Sequence, residues 1–218
     1  MTDRHLRLRR VAALAVLVAA AGLVIASDTL HGRLAAAVVW GDGLIARAPI
    51  AGMAAFVVLS ALSAMFAFFS SGLISPVAIS AWGTLVTLGL LWLGWLLGGA
   101  VTYAVGRFLG RSAAALFVDD ATLALWESRV TSRAHVSRVL LFQVAMPSEI
   151  LGYVLGLVRY SFGTYMAVLA VTEIPYALAV AYLGESFLAG NATTFVLIGA
   201  AVVATTSGLY YVVRRRLT

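Results

Sequence analysis

The stretch VLLFQVAMPSEILGYVLGL, residues 139–157, decides how this chain is read. It is apolar enough to enter lipid, yet it carries Pro147 in its middle, Glu149 two residues on and Gln143 one turn before. Proline lacks an N–H and disfavours helix at the residue before it, so Met146-Pro147 marks a break and not a simple span. A carboxylate near the bilayer centre costs about 2.5–3.5 kcal/mol, the insertion value for Asp at a helix centre. Broken backbone at that depth must be buried in protein or line a wet cavity. The expectation is a re-entrant hairpin that enters lipid, turns near Pro147 and leaves on the side it entered.

Composition supports a bilayer as the solvent. Of 218 residues, 62% are hydrophobic and only 11% charged, against about a quarter charged in soluble domains. A soluble fold of this size lacks the polar residues to face water. All 15 basic residues are Arg, and the net charge is +6. The arginines stand between apolar blocks, which is the pattern of topology signals and not of a nucleic-acid stripe, so no nucleic-acid partner is expected. There is no Cys, hence no disulfide, thiol chemistry or CxxC metal knot.

Working outward, spanning candidates are blocks of roughly 20 apolar residues. Val11–Ser27 reads as an uncleaved anchor, with a signal peptide as the alternative, and Asp28–Pro49 as an interfacial helix. Ile50–Phe69 is apolar and runs into Ser70-Ser71-Gly72 and Pro76. Leu85–Val105, Phe162–Leu183 and Phe195–Val213 are further apolar blocks. Arg107–Arg138 is the long polar segment and reads as amphipathic helices on the membrane surface, and Glu185–Thr194 as a short polar loop. Arginines cluster at the N-terminus, within Arg107–Arg138 and at Arg214–Arg216. Basic loops stay cytoplasmic, so all three belong on one side. Counting every block as a crossing puts the central cluster outside. The conflict disappears if Ile50–Thr84 and Val139–Leu157 both dip in and return. The predicted fold class is therefore all-α: a polytopic helical membrane protein with two re-entrant hairpins, each followed by a span, in an inverted-repeat arrangement. The predicted organisation is an anchor with interfacial helix over 1–49, a membrane domain over 50–187 and a terminal span with basic tail over 188–218. Both termini are expected in the cytoplasm and the protein in the cell's inner (plasma) membrane.

Candidate functional residues follow from that layout. Glu149 and Pro147 make a polar tip for the second hairpin, and Gln143 can bond across the hairpins. Glu173 lies mid-span beside Pro175, and two intramembrane carboxylates suggest proton coupling. Ser75 and Pro76 belong to the first hairpin's tip. Arg159 can bind a phosphate or carboxylate, or simply snorkel. Arg107, Arg111 and Arg138 are candidate headgroup contacts, with plain anchoring as the competing reading. Trp92 and Trp95 read as interfacial or packing residues. Enzyme templates fail: His5, His31 and His135 all lie outside the apolar blocks, and there is no HExxH, GxxxxGK[ST] or GxSxG. No enzyme activity, metal or cofactor is expected. The partners expected are membrane lipids and protons, and a homo-oligomer is compatible with the sequence.

The segment PSEILGYVLGLVRYSFGTY resembles the VTT-domain (DedA-like, SNARE-associated Golgi protein) family in Pro147, Tyr153, Gly156, Leu157, Arg159, Ser161, Phe162 and Tyr165. Pro175, Tyr182-Leu183-Gly184 and the upstream GGAVTYAVGRFLGR add to it, so the likeness covers roughly Ile50 to Phe187. The chain departs from that pattern before the second break, where the family's Arg and extra Pro are absent, and at Ser148, where the DedA branch has a second Arg. The resemblance implies movement of phospholipids or lipid-linked phosphates between leaflets, with proton dependence in bacterial members. A small-solute or ion transporter and a non-transporting scaffold are the alternatives the residues leave open.

Overall fold

A computed structural model describes residues 47–66, 71–127, 135–145 and 148–217, with isolated positions between 32 and 45. The expected first span, Val11–Ser27, and almost all of the expected interfacial helix fall outside those residues, as does Pro147. The described backbone is helical throughout. Its elements are α1 (Pro49–Ser63), a 3-10 turn (Ser71–Leu73), α2 (Ser75–Trp82), α3 (Thr84–Ala104), a π-turn (Val105–Leu109), α4 (Gly110–Ala114), α5 (Asp120–Glu127), α6 (Val136–Ala145), α7 (Ser148–Leu157), α8 (Phe162–Leu188) and α9 (Ala192–Leu217).

Length separates these helices into two kinds. Among the described residues, the runs Thr84–Ala114 and Phe162–Leu188 are long and apolar enough to cross a membrane. At about 1.5 Å per residue α8 reaches ~40 Å, beyond the ~30 Å hydrocarbon thickness. α6 and α7 have 10 described residues each, with residues 146–147 between them outside the described residues, and α2 has 8.

The long helices are also reversed relative to a water-soluble protein. α3 turns Leu85, Val86, Leu93, Leu97 and Val101 outward while it buries Thr87 and Thr102. α8 exposes Val171, Ile174 and Leu178, and buries Glu173 at 7% exposure. Leucine outward and hydroxyl or carboxylate inward is the arrangement that lipid, not water, allows.

Two compact units divide the chain. Ile50–Ser71 and Gly89–Ala177 form the larger, and Gly72–Leu88 and Leu178–Thr218 belong to the other. In the larger unit, small residues let backbones touch. A Cβ on Gly94 would stand 2.4 Å from that of Ser60, and one on Gly98 2.4 Å from the Ala61 carbonyl oxygen. Across from them α7 presents Gly152 and Gly156, four apart. A Cβ there would lie 2.0 Å from Thr102 Oγ1 and 2.2 Å from the Tyr103 carbonyl oxygen respectively. This Gly-xxx-Gly pair is the close-packing motif of membrane helices.

One expectation is corrected. The loop expected at Glu185–Thr194 is shorter, because α8 runs through Glu185 and Ser186 to Leu188. What remains is a tight turn. Gly190 takes φ 64°, its N–H and that of Asn191 return to the Phe187 and Ser186 carbonyls, and Asn191 Oδ1 caps the Thr194 N–H at 3.0 Å. In the Arg107–Arg138 segment Ala114, Val118 and Leu123 are buried with Val139, Phe142, Leu151 and Val154 in the unit's core, while Phe108, Leu109 and Leu116 stay exposed. Of the two readings of Trp92 and Trp95, packing fits: both sit in the middle of α3, with their indole N–H groups engaged inside the unit.

Candidate functional site

The larger unit gathers polar groups at the middle of its two long helices. α3 and α8 run antiparallel, since Trp92 Nε1 donates to the Ala170 carbonyl at 2.9 Å and, further along α3, the Gly99 carbonyl accepts from Tyr165 Oη at 3.2 Å. Tyr165, Leu169, Glu173, Ala177 and Ala181 recur every fourth residue and are all buried, so they form one inward stripe with the carboxylate at its centre. Glu173 is the twelfth residue of α8, ~17 Å along its axis, which is mid-depth for any crossing of the bilayer.

Two further segments are tied to these helices. The first joins Ser63, the end of α1, to Ser71. Ser63 Oγ accepts from the Ser71 N–H at 3.1 Å and donates to Ser71 Oγ at 3.3 Å. Trp95, half way along α3, donates its indole N–H to the same Ser71 Oγ at 3.1 Å. Tyr153 Oη reaches the Met65 carbonyl at 3.4 Å, and Phe117 stacks on Tyr153 with ring centres 5.5 Å apart. The second segment is α6. Gln143, in its last turn, is 4% exposed and donates from Nε2 to Glu173 Oε1 at 3.5 Å. The other end of its amide, Oε1, has no hydrogen-bond partner among the described residues.

Of the residues singled out from sequence, the fold brings Gln143 and Glu173 together. Glu149 has its backbone in the first turn of α7, and its side chain, like that of Arg138, lies outside the described residues. Ser75 and Pro76 open α2, where Pro76 suits a first turn that needs no proline N–H. They belong to the other unit, in which Gly184 packs against Ile79 and Thr84 Oγ1 donates to Glu185 at 3.1 Å.

The arginines differ in setting. Arg107 is half-buried in the π-turn, a geometry common at functional positions. Arg111 is held by Asp120, Nε to Oδ1 at 2.8 Å, on the solvent side of the unit. Arg159 is exposed at φ 57°, the left-handed region. Its N–H bonds the Gly156 carbonyl and that of Tyr160 bonds Leu155. That is a Schellman ending of α7 with arginine in the position glycine usually fills.

The chemistry of this layer is exchange of hydrogen bonds and charge. Among the described residues no group of three His, Cys, Asp or Glu side chains is placed to hold a metal ion. Asp119, the remaining acid of the 119–120 pair, caps α5 through the Thr122 N–H at 2.9 Å, and that bonding holds its carboxyl below the usual carboxylate range. The sequence reading gave no site role to Trp92, Trp95, Ser63 or Tyr153, because that depends on which neighbour receives each N–H or O–H.

Comparison with known families agrees with this architecture. The VTT domain model matches residues 13–186, which begins well upstream of Ile50 and covers most of the chain. No curated protein and no solved structure matches it.

Proposed function

Because the chain belongs to the VTT domain family, whose members are membrane-associated, we propose that it is a membrane transport protein that moves lipids between leaflets, as a scramblase or a proton-coupled lipid-phosphate flippase. The observation that carries the reading is Glu173: a carboxylate buried at mid-span, beside the Gln143 amide. A scaffold has no use for an acid whose burial in lipid costs about 2.5–3.5 kcal/mol on the scale for Asp. A headgroup crossing the hydrocarbon needs polar partners half way, and this layer supplies hydroxyl, indole, amide and carboxylate groups. On this reading the segments Ile50–Thr84 and Val139–Leu157 each dip into the membrane and return, from opposite faces, and each hairpin with the span after it is an inverted copy of the other in topology. With the arginine clusters inside, both termini and residues 107–138 are cytoplasmic, and the membrane is the cell's plasma membrane. The reading involves transport without catalysis, with lipids and protons as partners.

Reconstitution into liposomes carrying a leaflet-reporting phospholipid tests it. Transbilayer movement above empty vesicles is expected, with a pH dependence that Glu173→Gln removes. Absence of movement at every pH rejects the lipid reading. Uptake of a small solute that depends on Glu173, with no lipid movement, transfers the assignment to a solute transporter.

A further inference from the structure

Where the crossing run of α3 ends, the chain leaves large apolar side chains uncovered. Phe108 and Leu109 are 80% and 67% exposed, and Leu116 is 81% exposed. In the same stretch Gly106, Ala114 and Val118 are buried, and a Cβ on Gly106 would meet the Tyr153 carbonyl of α7. One side of the stretch therefore belongs to protein and the other turns out. Gly110, at φ 76°, bends the chain between Leu109 and α4. Beyond the bend Arg111 ties the next turn down. Its Nε donates to Asp120 Oδ1 at 2.8 Å and its Nη2 to the Asp120 carbonyl at 3.2 Å. This clasp closes the chain from 111 to 120 into a loop, with Leu116 in its middle.

We propose that Phe108, Leu109 and Leu116 form an apolar anchor inserted at the headgroup–acyl boundary of the leaflet in which α3 ends, with the Arg111–Asp120 clasp holding Leu116 to it. The occupant is lipid because the patch continues a lipid-facing surface. Leu93, Leu97 and Val101 turn outward along α3, and Phe108 and Leu109 follow within the same apolar run, Thr84–Ala114. At about 1.5 Å per residue that run reaches up to ~46 Å, close to the ~40–45 Å of a bilayer with its headgroups. Its last turns therefore fall in the interfacial zone. Apolar side chains there gain by lying against the acyl chains, as in helices that rest in the interface plane. Charge does not hold this segment. Residues 105–120 carry Arg107 and Arg111 against Asp119 and Asp120, so the local sum is zero and an anionic surface adds little. That separates the anchor from the plain attraction of arginines to headgroups. The anchor stands apart from the lipid-transfer reading: a protein that moves no lipid still holds these side chains in the leaflet.

Depth-dependent quenching tests it, since the chain has no cysteine and takes a fluorescent label at one chosen position. Phe108→Cys, Leu116→Cys, Leu97→Cys and Asn191→Cys are labelled in the full chain and reconstituted into phosphatidylcholine vesicles. Lipids with a nitroxide near the top of the acyl chain or at its tail report contact with lipid, and aqueous iodide reports contact with water. Labels at 108 and 116 are expected to be quenched most by the upper nitroxide and little by iodide. The label at 97 answers most to the tail nitroxide and the label at 191 to iodide, which calibrates the scale. Iodide quenching at 108 and 116 as strong as at 191 overturns the anchor. Protection from iodide and both nitroxides also overturns it, because protein then covers the patch. Admixed anionic phospholipid should leave the profile unchanged, and a need for it assigns the contact to the arginines instead. The clasp is tested by Arg111→Gln and, separately, Asp120→Asn. Each should shift the label at 116 from lipid to iodide quenching and leave the label at 108 as it was. No shift at 116 in either variant removes the clasp from the proposal. All the labelled anchor positions are exposed, so replacing them leaves the unit's core intact.

Discussion

Arg159 is where a single residue departs most from what its backbone prefers. The left-handed region costs a non-glycine residue roughly 1–2 kcal/mol, and Arg159 occupies it at the end of α7. Arg159→Gly is expected to stabilise the protein by about 1 kcal/mol, read as a rise in thermal midpoint in detergent. Arg159→Ala keeps the strained backbone and is expected to give no such rise. If lipid movement falls in both variants while only the glycine gains stability, the guanidinium is retained for function at the expense of the fold. Asp119 gives a second test at this scale. Its carboxyl is held low by Thr122, so its contribution is complete above the ordinary carboxylate range and is lost as pH falls through the depressed folded value. The protection of the Thr122 amide, relative to its intrinsic exchange rate at each pH, should fall on acidification, and Asp119→Asn, which caps without a charge, should remove that dependence. Glu173 and Gln143 were legible from sequence because polar side chains within apolar blocks need partners. That they partner each other was not, since thirty positions separate them and only the packing of α6 on α8 brings them into contact.

Helices and their junctions carry the next set of consequences. The crossing of α7 over α3 depends on Gly152 and Gly156, where an added methyl would lie 2.0–2.2 Å from its nearest neighbour. Gly156→Ala meets backbone rather than a movable side chain, and is expected to cost at least about 3 kcal/mol, the upper range for overpacking. Gly163, in the first turn of α8, has nothing within 4 Å of a new Cβ. Gly163→Ala should be neutral or stabilising by up to about 1 kcal/mol, and thermal unfolding of the two variants side by side checks the contrast. The long apolar helices were readable because hydropathy acts locally. The core position of α5 was not readable. Its alternation of apolar and charged residues fits a helix lying on lipid as well as one lying on protein, and Leu123 against Leu151 and Val139 is decided only in the folded unit. The tryptophans of α3 were left between two readings for a similar reason: an indole suits the lipid–water boundary by default, and only the Ser71 hydroxyl and the Ala170 carbonyl decide for packing.

For the molecule as a whole, the arginine pattern makes a prediction about sides. The chain has no cysteine, so single cysteines at positions 120 and 191 can be labelled from either face of intact cells or inverted vesicles. Asp120→Cys is expected to react only from the cytoplasm and Asn191→Cys only from outside. Labelling of position 120 from outside would remove the case for re-entry at both breaks. Sidedness, unlike contact, is an expectation that sequence alone can frame, because it follows from counting charges between apolar blocks. The close glycine contacts described above also bear on inheritance. Any base change in the first two positions of a glycine codon installs a larger residue or a stop. At Gly94, Gly98, Gly106, Gly152 and Gly156 even the smallest replacement collides with a neighbouring helix. Missense variation should therefore be scarcest along two uncharged helix faces, and not among the arginines and acids that a survey of harmful alleles would inspect first.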